Sequence, residues 1–292
     1  MPISAGLLPP RPTESHKGDY GRVLVIAGSM GMSGAAALCA TGCLRVGAGL
    51  VTLGVPKSLQ APMVEKLTEA MFKPLPETKE GSLSLQGVAD LASTAERMDA
   101  VAIGPGLSQQ SQTKELVRRL LPMIAKPLVL DADGLNAVAE DVEALKTLPL
   151  PIVVTPHPGE MGRLIRLSAD EVQRDRARIA VEFAKKYKVV TDLKGHGTVV
   201  ASFDGSVYLN ETGNPGMASG GFGDVLTGMI AGLLGQKLSL FDAARLGVYL
   251  HGLAGDLAGK ELGEVGLIAS DLAARIPLAI RQYQRGADVA QG

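Results

Sequence analysis

The feature that most constrains this chain is a series of short, β-branched runs that are mostly apolar on both faces. They occupy residues 22–27, 100–104, 127–130, 152–155 and 188–193. A strand with one wet face alternates apolar and polar side chains. These runs do not, so both of their faces must be covered. Helical periods fall between them. Residues 113–125 set Leu116, Leu120 and Ile124 on one stripe. Ser168-Ala169-Asp170-Glu171 is a capping box that opens a charged helix ending near Tyr187. Residues 241–257 put Ala243, Leu246, Gly247, Leu250, Leu253, Ala254 and Leu257 at helical spacing. This alternation predicts a three-layer α/β/α fold around a mostly parallel sheet. Residues 198–203 and 206–209 flank Asp204-Gly205, a hairpin signal that adds an antiparallel pair toward the C-terminal part. No Pro/Ser-rich linker or composition break interrupts the pattern, so residues 1–292 are read as one domain.

Composition removes several classes of function. Apolar residues make up 46%, enough for a sizeable core, while 29 basic and 30 acidic residues leave a net charge of -1. No overall field therefore recruits nucleic acid or an anionic membrane. No apolar run approaches the ~20 residues that span a bilayer. The stretch Met1-Pro2-Ile3-Ser4-Ala5-Gly6-Leu7-Leu8-Pro9-Pro10 lacks the basic start and long apolar segment of a signal peptide. The expectation is a soluble, cytoplasmic protein. Cys39 and Cys43, four apart in a small-residue helical stretch over 33–48, are read as core thiols.

Glycine is concentrated in clusters at the ends of the apolar runs, where backbone can approach a phosphate closely. The most informative cluster is Asn214-Pro215-Gly216-Met217-Ala218-Ser219-Gly220-Gly221-Phe222-Gly223-Asp224-Val225-Leu226-Thr227-Gly228. A glycine-rich loop here runs into an almost wholly apolar helix over 224–234, which must be buried. Free amides and the positive end of the helix dipole converge at residues 221–224, a preformed anion hole suited to a transferring phosphoryl group. Asp224 at that point either caps its helix or takes a proton from an attacking hydroxyl.

Gly221-Phe222-Gly223-Asp224 resembles the Gly-x-Gly-Asp motif of the ribokinase-like superfamily, in which the aspartate is the base that deprotonates the substrate hydroxyl. With four further motifs the resemblance narrows to the ADP/ATP-dependent NAD(P)H-hydrate dehydratases. These are Lys17-Gly18-Asp19-Tyr20-Gly21 through Ala27-Gly28-Ser29, Gly104-Pro105-Gly106-Leu107, Asp131-Ala132-Asp133-Gly134-Leu135-Asn136, and Thr155-Pro156-His157-Pro158-Gly159-Glu160. They run in order from about Ser15 to Pro277.

The resemblance implies roles for individual residues. His157, where many related kinases have Asn, would contact the hydrated dinucleotide; from the residues alone it could equally satisfy a loop carbonyl. Glu160 either organises magnesium and phosphate or starts a helix. The dehydratases hold the adenine nucleotide with a stretch similar to Lys194-Gly195-His196-Gly197-Thr198, and Gly223 joins that set. Lys194 there supplies a point charge, and the two glycines let backbone come close. His196 stands at a variable place and has no chemistry of its own. Gly106 would admit substrate closely, and Ala40 matches a substrate-contact position by resemblance only, being otherwise a packed helix residue. Asp131 and Asp133 suit water-bridged magnesium or loop bracing, and His251 suits core packing or an internal hydrogen bond.

The activity so implied is ADP-dependent dehydration, with magnesium, of the S epimer of hydrated NADH or NADPH, ATP being an alternative donor. Asp224 would be both base and substrate contact. A ribokinase-like kinase for a vitamin or sugar alcohol and a non-catalytic nucleotide sensor are the rival readings. The resemblance also implies a homotetramer and a separate epimerase partner, since the length leaves no room for the epimerase domain that fused relatives carry.

Overall fold

The strands are β1 (Arg22–Ile26), β2 (Leu50–Pro56), β3 (Met71–Leu75), β4 (Ala100–Ile103), β5 (Leu128–Leu130), β6 (Val153–Val154), β7 (Val190–Leu193), β8 (Val199–Ala201) and β9 (Val207–Leu209). They form one sheet in the order β3-β2-β1-β4-β5-β6-β7-β8-β9. Every pairing from β3 to β7 is parallel, and β8 and β9 are added antiparallel. This computed structural model describes residue 3, residues 6–8 and residues 10–289, with side chains through residue 285. The N-terminal stretch considered above for a leader falls partly outside the described residues.

The continuous apolar runs have the consequence expected of them. Val23, Val25, Val129, Val153 and Val190 face one buried core, while Leu24, Ile26, Leu128, Leu130 and Val154 face the other. The first face is covered by α1 (Ser33–Arg45), α2 (Gln60–Lys66), α9 (Phe222–Gly235), α10 (Leu240–Leu262) and α11 (Ala269–Val289). The second is covered by α3 (Val88–Glu96), α4 (Ser111–Leu120), α5 (Ala132–Val138), α6 (Pro158–Ile165), α7 (Ala169–Arg174) and α8 (Arg176–Tyr187). This is the three-layer arrangement of the ribokinase-like resemblance. Cys39 and Cys43 are buried and free, as core thiols should be.

Three local features differ from the sequence reading. Strands β2 and β3 were not expected; β3 lies at the sheet edge, the place that tolerates its Pro74, and Gly54 interrupts the apolar pattern of β2. The helix over 113–125 stops at Leu120 and ends in a tight 3-10 turn containing Pro122, which has no amide to continue an α-helix. The charged helix opened by Ser168 is two helices. Asp175 leaves helical geometry at φ -147 and ψ 54, and its carboxylate accepts from the Arg178 amide to start α8 afresh. That break sets Arg176 at the first position of α8.

Helix α9 is buried along nearly its whole length, and it packs backbone to backbone on α1. A Cβ on Gly228 would stand 1.8 Å from the Cys39 carbonyl oxygen. The start of α9 is thereby held rigidly at the carboxyl edge of the sheet, where open α/β sheets bind ligands.

Candidate active site

Loops after β1, β4, β5, β6 and β7 converge with the start of α9. The N-cap of α9 is Gly221, at φ 96, and it offers no side-chain cap. The Val225 amide is the first to bond within the helix, to the Gly221 carbonyl. Among the described residues the amides of Phe222, Gly223 and Asp224 have no acceptor, so the anion hole is open in the sense expected of an uncapped helix start.

Asp224 is in the first turn, not at the cap, which removes the capping alternative. Its carboxylate accepts no hydrogen bond among the described residues. Burial pushes its pKa up to about 6, Asp131, Glu160 and Asp133 push in the same direction, and Lys194 opposes them. Such a carboxylate is ionised at neutral pH yet basic enough to take a proton.

Lys194 extends from the end of β7 into the same space. Its Nζ lies 2.8 Å from Asp131 Oδ1 and 4.0 Å from Glu160 Oε2, and a Cβ on Gly223 would sit 3.4 Å from it. Burial alone would lower its pKa, but the neighbouring carboxylates outweigh that and hold it above the ordinary lysine value. The side chain is 19% exposed, so it is an internal cation and not the solvated lysine of a surface turn. Asp131, 1% exposed, gives its other oxygen to the Thr227 hydroxyl of α9 at 2.6 Å. One buried carboxylate thus ties the β7 loop to the helix that carries Asp224.

His157 is the N-cap of α6. Its Nδ1 accepts from the amides of Gly159 at 3.0 Å and Glu160 at 3.4 Å, and Glu160 accepts in return from the His157 amide at 2.8 Å. The ring therefore satisfies amides, not a loop carbonyl. Partial burial, Lys194 and Arg163 lower its pKa, so it stays neutral, with the proton on Nε2. Glu160 is buried inside this capping box, the helix-start alternative of the sequence reading. Asp133 braces the loop after β4, accepting from the Ser108 amide at 2.9 Å. His251 donates from Nε2 to the Phe222 carbonyl, which can only accept, at 2.9 Å. Burial pushes the His251 pKa down to about 4. It is an internal hydrogen-bonding residue, as read.

Several expected residues are placed differently. The space beside Gly106 is taken by Met32 and Ala35: a Cβ there would lie 2.9 Å from the Met32 carbonyl oxygen, so the chain itself makes the close approach. Ala40 is fully enclosed in the core and the structure does not bring it to the site surface. The turn Lys17–Tyr20 leads into the amino end of β1, on the opposite edge of the sheet from these loops. Thr198 closes the 194–198 loop, its Oγ1 donating to the Gly195 carbonyl at 2.9 Å and accepting from the Gly195 amide at 3.3 Å. His196 is exposed.

With this geometry in place, comparison with known proteins gives one family. Residues 23–278 match the NAD(P)H-hydrate dehydratase family. The chain belongs to that family. It is 49% identical over 277 residues to the bifunctional NAD(P)H-hydrate repair enzyme of Moorella thermoacetica, covering 95% of this chain and 52% of that protein. It therefore spans about half the length of such bifunctional relatives. The ADP-dependent (S)-NAD(P)H-hydrate dehydratase of Bacillus subtilis is 37% identical over 280 residues, 95% of each chain. The crystal structure of the ADP/ATP-dependent NAD(P)H-hydrate dehydratase from that organism, co-crystallised with ATP and Mg2+, superposes with a TM-score of 0.80 at 34% identity, covering 97% of this chain and 99% of the other.

Within this dehydratase fold, two residues were not legible beforehand. Asp192 on β7 is fully buried, and neither carboxylate oxygen finds a partner among the described residues. Burial pushes its pKa up to about 8 against the pull of Lys194, so it is largely protonated at neutral pH. In the sequence it was one of three polar positions, with Lys188 and Thr191, in the run over 188–193. Arg176, 18 residues before Lys194, grips the 194–198 loop through backbone carbonyls. A lone arginine in a charged helix carries no signal of that.

Proposed function

We propose that this chain dehydrates the S epimer of hydrated NADH or NADPH with ADP, returning NAD(P)H, AMP and phosphate. The observation that carries this reading is Asp224: a carboxylate without a partner among the described residues, in the first turn of a helix whose leading amides are likewise free among them, in a chain of the hydrate dehydratase family. Asp224 takes the proton of the C6 hydroxyl, and that oxygen attacks the β-phosphorus of ADP as its bond to AMP breaks. The amides of residues 221–224 stabilise the charge that develops. Phosphate is a better leaving group than hydroxide, so loss of phosphate with the C5 proton restores the ring double bond. Lys194, Gly195, His196, Gly197, Thr198 and Gly223 hold the nucleotide. His157 and Gly106 bound the hydrated ring, Asp224 faces it, and Ala40 acts at most through the packing of α1.

Magnesium fits as a passenger on the nucleotide. Among the described residues no three His, Cys, Asp or Glu side chains gather as a metal cage, and such an ion is commonly held by phosphate oxygens, water and one or two carboxylates. Asp133 and, besides its part in the capping box, Glu160 are the carboxylates that would reach it, and bound there it would neutralise charge on the phosphates. ATP is the alternative donor. No helix among the described residues is long and apolar enough to cross a membrane. We read residues 1–292 as one dehydratase domain of a cytoplasmic homotetramer that works with a hydrate epimerase.

The test is incubation with ADP and hydrated NADH, followed by absorbance of the restored dihydronicotinamide. Recovery with AMP release is expected. A stable phosphate ester would replace this reading with a small-molecule kinase, and binding without turnover would replace it with a sensor.

A further inference from the structure

The β7–β8 loop is held from outside by a cation that meets no carboxylate among the described residues. Arg176 Nη1 donates to the Lys194 carbonyl at 3.3 Å, and Nη2 donates to the Gly197 carbonyl at 3.1 Å and to the carbonyl of His196. Among the described residues the guanidinium has no acidic partner, and burial lowers its pKa. Hydrogen bonds from a charged donor are stronger than neutral ones, so three carbonyls gathered on one guanidinium fix the course of the loop. A Cβ on Gly195 would stand 2.1 Å from Arg176 Nη1, so the guanidinium lies directly against the loop backbone, while the φ of 148 is what favours glycine there.

Among the described residues no cis bond is present, and in a planar trans peptide each carbonyl points opposite to the following N–H. With the carbonyls of Lys194, His196 and Gly197 drawn onto Arg176, the amides of Gly195, Gly197 and Thr198 must turn away from it. The Gly195 amide is used by Thr198 Oγ1. Those of Gly197 and Thr198 have no acceptor among the described residues. We propose that Arg176 is a positioning residue: by collecting three carbonyls of one loop, it presents the opposite amides as ready-made donors for the anionic nucleotide. This rests on the nucleotide site proposed above.

The experiment measures ADP affinity by calorimetry for the wild type, Arg176→Ala and Arg176→Lys, beside Tm and steady-state kinetics with hydrated NADH. Arg176→Ala is expected to weaken ADP binding and raise its KM about tenfold, the equivalent of ~1.4 kcal/mol, with kcat at saturating ADP within about twofold of wild type. Arg176→Lys keeps the charge but cannot fork across three carbonyls, and should recover only part of the affinity. It carries the same split should Arg176→Ala fail to fold. Loss of Tm and kcat with KM unchanged would mean a merely structural arginine and overturn the proposal. Wild-type ADP affinity in both variants would do the same. A wild type that binds no ADP would overturn the nucleotide site itself along with it.

Discussion

Helices α6 and α9 both begin at the carboxyl edge of the same sheet, yet their first turns are built in opposite ways. The start of α6 is closed: His157 and Glu160 satisfy each other's amides, and the leading donors are consumed. The start of α9 is open: its cap is a glycine, its leading amides have no acceptor among the described residues, and its acid, Asp224, bonds to nothing there. Two helix ends with equal dipoles therefore have unequal chemistry. Unsatisfied groups at a helix terminus are costly unless a ligand or water completes them, so the open end is where a ligand is expected.

The sharpest way to break this contrast is Asp224→Asn. Turnover should fall by about 10²–10⁴-fold, the usual worth of a positioned base, with ADP affinity nearly unchanged by calorimetry. Normal turnover would remove Asp224 from the chemistry. In the wild type, kcat/KM should rise as pH passes upward through about 6, where Asp224 ionises. Stability should move the opposite way. The folded pKa is above the ordinary aspartate value, so the acid form favours folding and that contribution is lost as pH rises through about 6. Asp224→Asn should accordingly raise Tm above that pH and leave it unchanged in acid, below the unfolded pKa. Equal Tm at all pH values would mean the carboxylate is not desolvated.

A smaller effect is expected at Lys194, whose removal strands Asp131 in the core. Breaking a buried pair of this kind costs about 3–5 kcal/mol. Chemical denaturation of Lys194→Ala should show that loss in addition to weaker nucleotide binding, and adding Asp131→Asn should return part of it. If the single variant is as stable as wild type, the lysine is a solvated surface charge after all. The smallest effect sharpens the closed end. His157→Ala removes a helix cap worth about 0.5–2 kcal/mol. An accompanying rise in KM for hydrated NADH would assign the exposed part of the ring to substrate. Lost stability with KM intact would leave it a cap alone.

How much of this could be read beforehand differs by element. The strands β1, β4, β5 and β6 were legible because burial on both faces writes a nearly uninterrupted apolar run, and β7 through its β-branched Val189, Val190 and Thr191. The hairpin was legible because Asp204-Gly205 suits a turn in which Gly205 takes φ 97. Strand β3 was not, since an edge strand with a proline carries no such run. The break at Asp175 was hidden because its carboxylate can serve either as an ordinary helix-surface charge or as a cap, and only the neighbouring packing chooses. Gly106 was only half legible for a related reason: glycine marks a close approach without saying that Met32 is one of the groups that makes it.

By itself the sequence determined the layers, the apolar helix α9 and the acid at its start, because these follow from periodicity and from residues adjacent in the chain. Tertiary structure alone decided that Asp131 joins Lys194 to Thr227, that Asp192 is buried without a partner among the described residues, and that Arg176 holds the loop beyond β7. Those relations connect residues far apart in the chain through contacts a few ångströms long. No local pattern encodes such a distance; only the folded sheet, by bringing its carboxyl ends to one edge, creates it.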